Sequence, residues 1–242
     1  MFSMRSSAIH RDYRPAAAEP TGYPWHDPAV SATANAFLGA CRVARDLIAR
    51  PEVAQRWEDP SALAQMTVGT LGGHLSRPPM AVLDYCAAPA PPAGAQPSSP
   101  AQYFAAVLPT DDIDSDVHRG IRARSIQAAE GGPAAVLERL DRAIADVAAL
   151  LAREPADRLI EVFGGVVMWL EDYVVTRIVE VVVHADDLAV SVDLPPPDLP
   201  AAAESRTRGV LVELAAIRYG STPVRRLLSR RERPPQPPPT AF

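Results

Sequence analysis

The residues best suited to chemistry lie in the segment 173–191, YVVTRIVEVVVHADDLAVS. Most of this segment is Val, Ile, Leu or Ala, so propensity alone favours a strand. Side chains of a strand alternate between two faces, whereas spacings of three and four residues place side chains on one stripe of a helix. The polar side chains follow the helical spacing at Tyr173, Arg177, Glu180, His184, Asp187 and Ser191. The segment is therefore predicted to be helical.

This predicted helix is apolar almost all round, which is typical of a buried helix. Its polar stripe would face the interior or a cleft, where unpartnered charges are costly. These side chains must pair with one another, coordinate an ion or line a solvated pocket. Glu180 and His184 are one turn apart, so a carboxylate oxygen and an imidazole nitrogen could reach one metal ion. An E-x3-H pair is a weak signal by itself, since most such pairs are surface residues or ion pairs.

A catalytic zinc site has three protein ligands and an open position, so a third ligand is needed. Of the other four histidines, His10 and His26 precede the first predicted helix, and His118 lies in the arginine-rich stretch VHRGIRAR. His74 alone lies inside a predicted amphipathic helix, with leucines as its apolar neighbours. His74 is therefore the candidate third ligand, although a lone helical histidine is more often a core or surface residue without a metal.

Amphipathic repeats predict the helices that would position these ligands. An apolar stripe predicts a first helix over 30–48, and a second helix begins near Thr67 as its N-cap. Pro78 and Pro79 remove backbone donors inside this second helix. We therefore expect it to end or kink at about Arg77.

The rest of the chain contains further predicted elements. Residues 88–100 are a loop by composition, and residues 159–169 are predicted to form a short hairpin or an extended connection. The remaining predicted helices cover 111–131, 137–151, 205–219 and 224–231. The expected organisation is an N-terminal arm over 1–27, a helical bundle over 28–193, a helical extension over 194–233 and a disordered proline-rich tail over 234–242.

Composition excludes several functions. Apolar residues make up 48% of the chain and the net charge is −5, which argues against nucleic acid as a partner because phosphate binding needs a basic face. All 24 cationic side chains are Arg, so lysine Schiff-base and phosphate-loop chemistry is excluded. Cys41 and Cys86 are too few for a disulfide framework. No apolar run reaches membrane-spanning length, so we expect a soluble, cytoplasmic protein without a membrane partner.

Two segments resemble signatures of the mycothiol-dependent maleylpyruvate isomerase N-terminal domain family, part of the DinB-like superfamily. TVGTLGGHL resembles the family's T-V-x-x-L-x-x-H-L, and TRIVEVVVHADDLAVSV resembles its T-R-x-x-E-x-x-x-H-x-x-D-L. The C-terminal LAAIRYGSTPVRRLLSRRER also looks like the ending of many actinobacterial members. The resemblance covers roughly 28–233. It implies a mainly α protein, an up-down-up-down four-helix bundle over 28–193 with extra C-terminal helices.

The resemblance also implies a site. In the family a histidine of the second helix and a Glu and a His of the fourth hold a divalent metal, which carries over to His74, Glu180 and His184. Zinc is the expected metal. Arg177 and Asp187 match family positions too, and Asp187 could orient the ring of His184.

The family's chemistry uses a low-molecular-weight thiol, which is mycothiol in actinobacteria. The resemblance thus implies an S-transferase or isomerase in which a metal-bound thiolate attacks a small electrophile. The alternatives are a metal-water hydrolase, a non-catalytic metal-binding or regulatory bundle, and a helical module without metal. The isomerase itself carries a C-terminal α/β domain. In this sequence about fifty residues follow position 193, and they are predicted to form helices and a proline-rich tail. The resemblance therefore does not by itself indicate maleylpyruvate as the substrate. A two-fold homodimer is the default expectation for assembly.

Overall fold

The computed structural model describes residues 31–109 and 112–229, and residues 232, 238 and 241 individually. The predicted arm over 1–27, with His10 and His26, lies outside the described residues, as does most of the proline-rich tail. Over the described ranges the chain is mainly helical. In chain order its elements are α1 (Ala32–Ile48), α2 (Pro51–Gln55), α3 (Val68–Ala87), α4 (Pro100–Val107), α5 (Asp116–Ala129), α6 (Gly132–Leu151), β1 (Leu159–Val162), β2 (Val166–Trp169), α7 (Leu170–Ser191), α8 (Ala201–Tyr219) and α9 (Ser221–Ser229).

Four long helices form a bundle around a shared apolar core. Both α1 and α3 pack against α6 and against α7. Outside the bundle, α5 lies along α3, and α8 packs against α1, α4 and α7 while α9 packs on α8. The largest fully buried apolar side chains include Phe37, Leu71, Leu140, Ile178 and Leu188. The predicted helical bundle with extra C-terminal helices is thereby confirmed.

Helix starts follow from local hydrogen-bond chemistry. The hydroxyl of Thr67 accepts a hydrogen bond from the backbone N–H of Thr70, so the predicted N-cap of the second long helix is confirmed. Ser99 and Gln102 form a capping box at the start of α4. The predicted loop is therefore correct up to Ser99. The sequence pattern does not predict α4, because its eight residues are too few to show a helical period.

The second helix was predicted to end or kink at about Arg77, and the prediction of an end there is wrong. Helix α3 continues through Pro78 and Pro79, and both prolines are buried. Each proline lacks the N–H that would bond to a carbonyl one turn earlier, which costs roughly 3 kcal/mol in a helix interior. Because α3 packs against α5, α6 and α7 at once, burial of its side chains outweighs this cost.

A short hairpin leads directly into α7. Strands β1 and β2 pair antiparallel, from Leu159 opposite Trp169 to Val162 opposite Val166. The turn between them contains Gly164 at φ +78°, a left-handed conformation that glycine adopts without strain. The predicted hairpin is therefore confirmed. None of the described helices is both long and apolar enough to span a membrane.

Candidate metal centre

Three predicted ligands from two helices converge inside the protein. His74 lies on α3, and Glu180 and His184 lie one turn apart on α7. The Nε2 atom of His74 is 3.3 Å from Oε2 of Glu180, and Nε2 of His184 is 3.5 Å from the same oxygen. One ligand atom from each residue lies within 4.8 Å of the other two, so the group could hold a metal ion. The structure brings together the residues that the sequence singles out, while metal binding by them stays a prediction.

The ring of His184 is oriented by Asp187. Nδ1 of His184 lies 2.9 Å from Oδ2 of Asp187. An ionised carboxylate only accepts hydrogen bonds, so Nδ1 carries the proton and donates it to Asp187. The lone pair of the neutral ring is then on Nε2, the atom that faces Glu180. Such a carboxylate–histidine pair is the arrangement that orients a metal-ligating imidazole.

The ring of His74 is oriented by a hydroxyl from a neighbouring helix. The hydroxyl of Ser125, on α5, donates to the carbonyl of Ile121 at 2.8 Å. Its single proton is thereby used, so the hydroxyl oxygen must accept from Nδ1–H of His74, at 3.0 Å. The lone pair of His74 is therefore also on Nε2. Both imidazole lone pairs and a carboxylate oxygen thus face one point.

Such a set of lone pairs repels unless a cation or a proton lies between them. Burial would raise the pKa of Glu180, but when a proton is present on Nε2 of His184 or His74, hydrogen bonds from these rings and the nearby Arg177 hold it well below its usual range. Burial lowers the pKa of His74. Burial would also lower the pKa of His184, but its hydrogen bonds to Asp187 and Glu180 raise it to about 9. The site therefore favours a positive charge beside Glu180, which is what a divalent metal supplies.

Arg177 occupies the other side of the Glu180 carboxylate. Its Nη2 atom lies 4.0 Å from Oε1, the oxygen that does not face the imidazoles. The guanidinium carbon lies 4.8 Å from the ring centroid of Tyr173 and 5.7 Å from that of Tyr103. Stacking on these two rings favours a charged guanidinium in a largely buried place. Arg177 and Asp187, the two further candidates from the sequence, therefore both lie beside the ligands.

Ser125 is a site residue that sequence reasoning missed. It reaches His74 because α5 lies very close to α3 at Gly73. A Cβ atom on Gly73 would be 2.6 Å from the carbonyl oxygen of Ser125 and 2.7 Å from the backbone nitrogen of Ala129. Only a glycine permits this approach. The glycine pair Gly72-Gly73 before His74 indicates that another element could pack closely there, but the sequence does not show that this element is α5.

The three ligands form part of the wall of a cavity of about 660 Å³. Side chains of α3, α4, α5 and α7 line most of it, and His118 is among them. The Nδ1 atom of His118 lies 2.8 Å from the carbonyl oxygen of Asp112, so this nitrogen donates a proton outside the ligand group. The prediction that the polar stripe of α7 faces a cleft is confirmed, because Arg177, Glu180, His184 and Asp187 all line this cavity.

Comparison with known protein families agrees with this geometry. The model for the mycothiol maleylpyruvate isomerase N-terminal domain matches residues 37–189, which is more than half of the chain. The chain belongs to this family. The match runs from α1 to the last turns of α7 and contains His74, Glu180 and His184. The family is metal-binding, and this chain retains a His/Glu/His group that could hold a metal ion. No curated protein and no solved structure gives a significant match.

Proposed function

We propose that this protein is a divalent-metal-dependent enzyme that uses a low-molecular-weight thiol of the mycothiol type. The thiol would attack a small electrophilic substrate, in an S-transfer or an isomerisation. The observation that carries the proposal is the convergence of two imidazole lone pairs and one carboxylate oxygen at the wall of a large cavity. Zinc is the metal that we propose, since catalytic zinc sites take two nitrogen ligands and one oxygen ligand with a position left open.

The residues of this chain have separable roles in the proposal. His74, Glu180 and His184 would hold the metal. When bound there, a divalent ion would supply the positive charge that keeps a coordinated thiol deprotonated at neutral pH. Ser125 and Asp187 keep the proton of each imidazole on Nδ1, so that Nε2 remains a ligand. These two residues therefore position the ligands rather than touch the substrate.

The cavity has room for more than one small molecule. Its volume of about 660 Å³ lies within the range of sites that enclose drug-sized ligands. Three tyrosines, Tyr85, Tyr103 and Tyr173, line it together. The ring centroid of Tyr173 lies 5.4 Å from that of Tyr85 and 6.2 Å from that of Tyr103. A cavity of this volume could hold a thiol and an electrophile together.

The test combines metal analysis with a thiol-consumption assay. We expect about one zinc per chain in purified protein and clearly less in His74→Ala and Glu180→Ala. His118→Ala is the matched control, since it removes a cavity histidine outside the ligand group and should retain the metal. With mycothiol, glutathione and cysteine offered against a panel of electrophiles, we expect thiol consumption that both ligand variants lose. Bound zinc with no consumption of any thiol would contradict the enzymatic proposal and leave a metal-binding bundle.

A further inference from the structure

The cavity beside the candidate metal centre is strongly cationic although the chain has a net charge of −5. The arginines that line it are Arg77, Arg122, Arg124, Arg177 and Arg218. Among the residues that the structure describes, the carboxylates that line it are Glu180 and Asp187. Glu180 faces the two imidazoles and Asp187 accepts a hydrogen bond from His184, so both are engaged within the ligand group. A cavity with such an excess of one charge concentrates ligands of the opposite charge.

Three of these arginines have partners within the protein. Arg177 lies 4.0 Å from Glu180 and stacks on tyrosine rings. Arg122 donates to the carbonyl of Ile113 at 2.6 Å and lies 3.9 Å from Asp114. Arg218 donates to the carbonyl of Leu108 at 2.8 Å.

Arg77 and Arg124 lack such partners. Among the described residues, neither guanidinium forms a hydrogen bond or has a carboxylate oxygen within 4.0 Å; Arg124 stacks at 5.5 Å on the ring of Phe163. Burial lowers the pKa of Arg77, and the cationic charge of Arg124 lowers it further. The guanidinium of Arg77 is half-buried and has the positive charge of the exposed Arg124 near it, with no anion beside it, which is electrostatically unfavourable for Arg77. An anionic ligand would remove that penalty.

The position of Arg77 relates this cationic region to the metal ligands. Arg77 follows His74 by three residues on α3, so the two side chains share a face of the helix. Their backbone positions are about 4.5 Å apart along the axis. Apolar side chains make up much of the remaining lining, including those of Phe104, Ile121 and Val183. The cavity thus combines a cationic end, an apolar wall and the candidate metal centre.

We infer that this cavity binds an organic anion, whose carboxylate or sulfonate group contacts Arg77 and Arg124 and whose apolar body lies against the cavity wall. The inference rests on the proposed function in one respect, that the molecule so held is the electrophile. The reacting carbon would then lie about one helical turn from the anionic group. A neutral electrophile of the same shape would bind more weakly, because it leaves both guanidiniums without a partner.

Two fluorescent probes of similar shape test this inference without catalysis. One is 1-anilinonaphthalene-8-sulfonate, and the other is N-phenyl-1-naphthylamine, which lacks the sulfonate. In the protein as purified we expect Arg77→Gln and Arg124→Gln each to weaken binding of the sulfonate at least about fivefold, and the double variant at least about twenty-five-fold. Binding of the neutral probe should change less than about twofold. Arg142→Gln, at an exposed position paired with Glu138, is the control and should change neither.

Several outcomes decide the matter. Equal losses for both probes, or unchanged sulfonate binding in the double variant, would overturn the inference. Partial recovery in Arg77→Lys would support a charge effect rather than a packing effect. Arg124 is exposed, so Arg124→Gln remains informative if Arg77→Gln fails to fold as judged by circular dichroism. Probe binding requires neither thiol nor turnover. Selective loss of sulfonate binding in a protein without thiol chemistry would therefore refute the proposed function alone.

Discussion

The close packing of α5 on α3 at Gly73 makes a strong prediction about Gly73→Ala. In a helix interior, replacing glycine by alanine normally stabilises by roughly 0.5–1 kcal/mol. Here the new Cβ atom would lie 2.6 Å from the carbonyl oxygen of Ser125, about 0.8 Å closer than ordinary contact. The atoms it meets belong to the backbone of α5 and cannot rotate away. Relief therefore requires the two helices to separate.

The expected magnitude follows from these two opposing effects. Overpacking of this kind costs about 1–3 kcal/mol, which outweighs the gain in helix propensity. We expect Gly73→Ala to lower the free energy of unfolding by about 1–2 kcal/mol, or roughly 2–8 °C in Tm for a chain of this length. Gly209→Ala is the matched control, because Gly209 is also inside a helix but an added Cβ meets nothing within 4 Å. That variant should gain up to about 1 kcal/mol.

Gly73→Ala should also weaken metal binding although it changes no ligand. Separation of α5 from α3 lengthens the 3.0 Å hydrogen bond between Ser125 and His74. Loss of such a bond to a metal-ligating histidine typically lowers metal affinity about 10–100-fold. Thermal unfolding followed by circular dichroism and zinc competition with a chromogenic chelator measure the two effects. If Gly73→Ala were as stable as Gly209→Ala and bound zinc as tightly as the unchanged protein, the close α3–α5 contact would be refuted.

Three further predictions concern the site and the core. Burial would lower the pKa of His184, but hydrogen bonds to two carboxylates raise it to about 9. A proton must therefore leave this ring before it binds metal. Zinc affinity, measured by chelator competition, should rise about tenfold per pH unit from pH 7 and level off near pH 9. A flat profile would contradict the assigned role of His184. Ser125→Ala should lower zinc affinity about 10–100-fold at nearly unchanged Tm, whereas the exposed Ser205→Ala should leave it unaltered. Phe37 is fully buried, so Phe37→Ala should lower the free energy of unfolding, measured by urea titration, by about 3–5 kcal/mol. Ile126 is 58% exposed, so the control Ile126→Ala should lower it by less than about 1 kcal/mol.

The pair Glu180 and His184 could be read from the sequence because its geometry is local. Residues four apart on a helix lie one above the other whatever the rest of the fold does. The polar stripe in an otherwise apolar segment also indicated that α7 is buried along a cleft, and the structure agrees. The hairpin and the long helices were predictable for the same reason, since their periodicities are properties of short segments.

Only the tertiary structure decided how separate elements meet. His74 reaches Glu180 and His184 because α3 packs against α7, although His74 and Glu180 are 106 residues apart in the sequence. The hydroxyl that orients His74 comes from α5, and no local pattern marks Ser125 as its partner. The two prolines of α3 show that a local rule can also predict too much. The rule predicted an interruption of the helix, but α3 continues through both prolines because it packs on three neighbouring helices. Long-range packing energies are sums over many contacts between distant segments, so the pattern of a short segment does not reveal them.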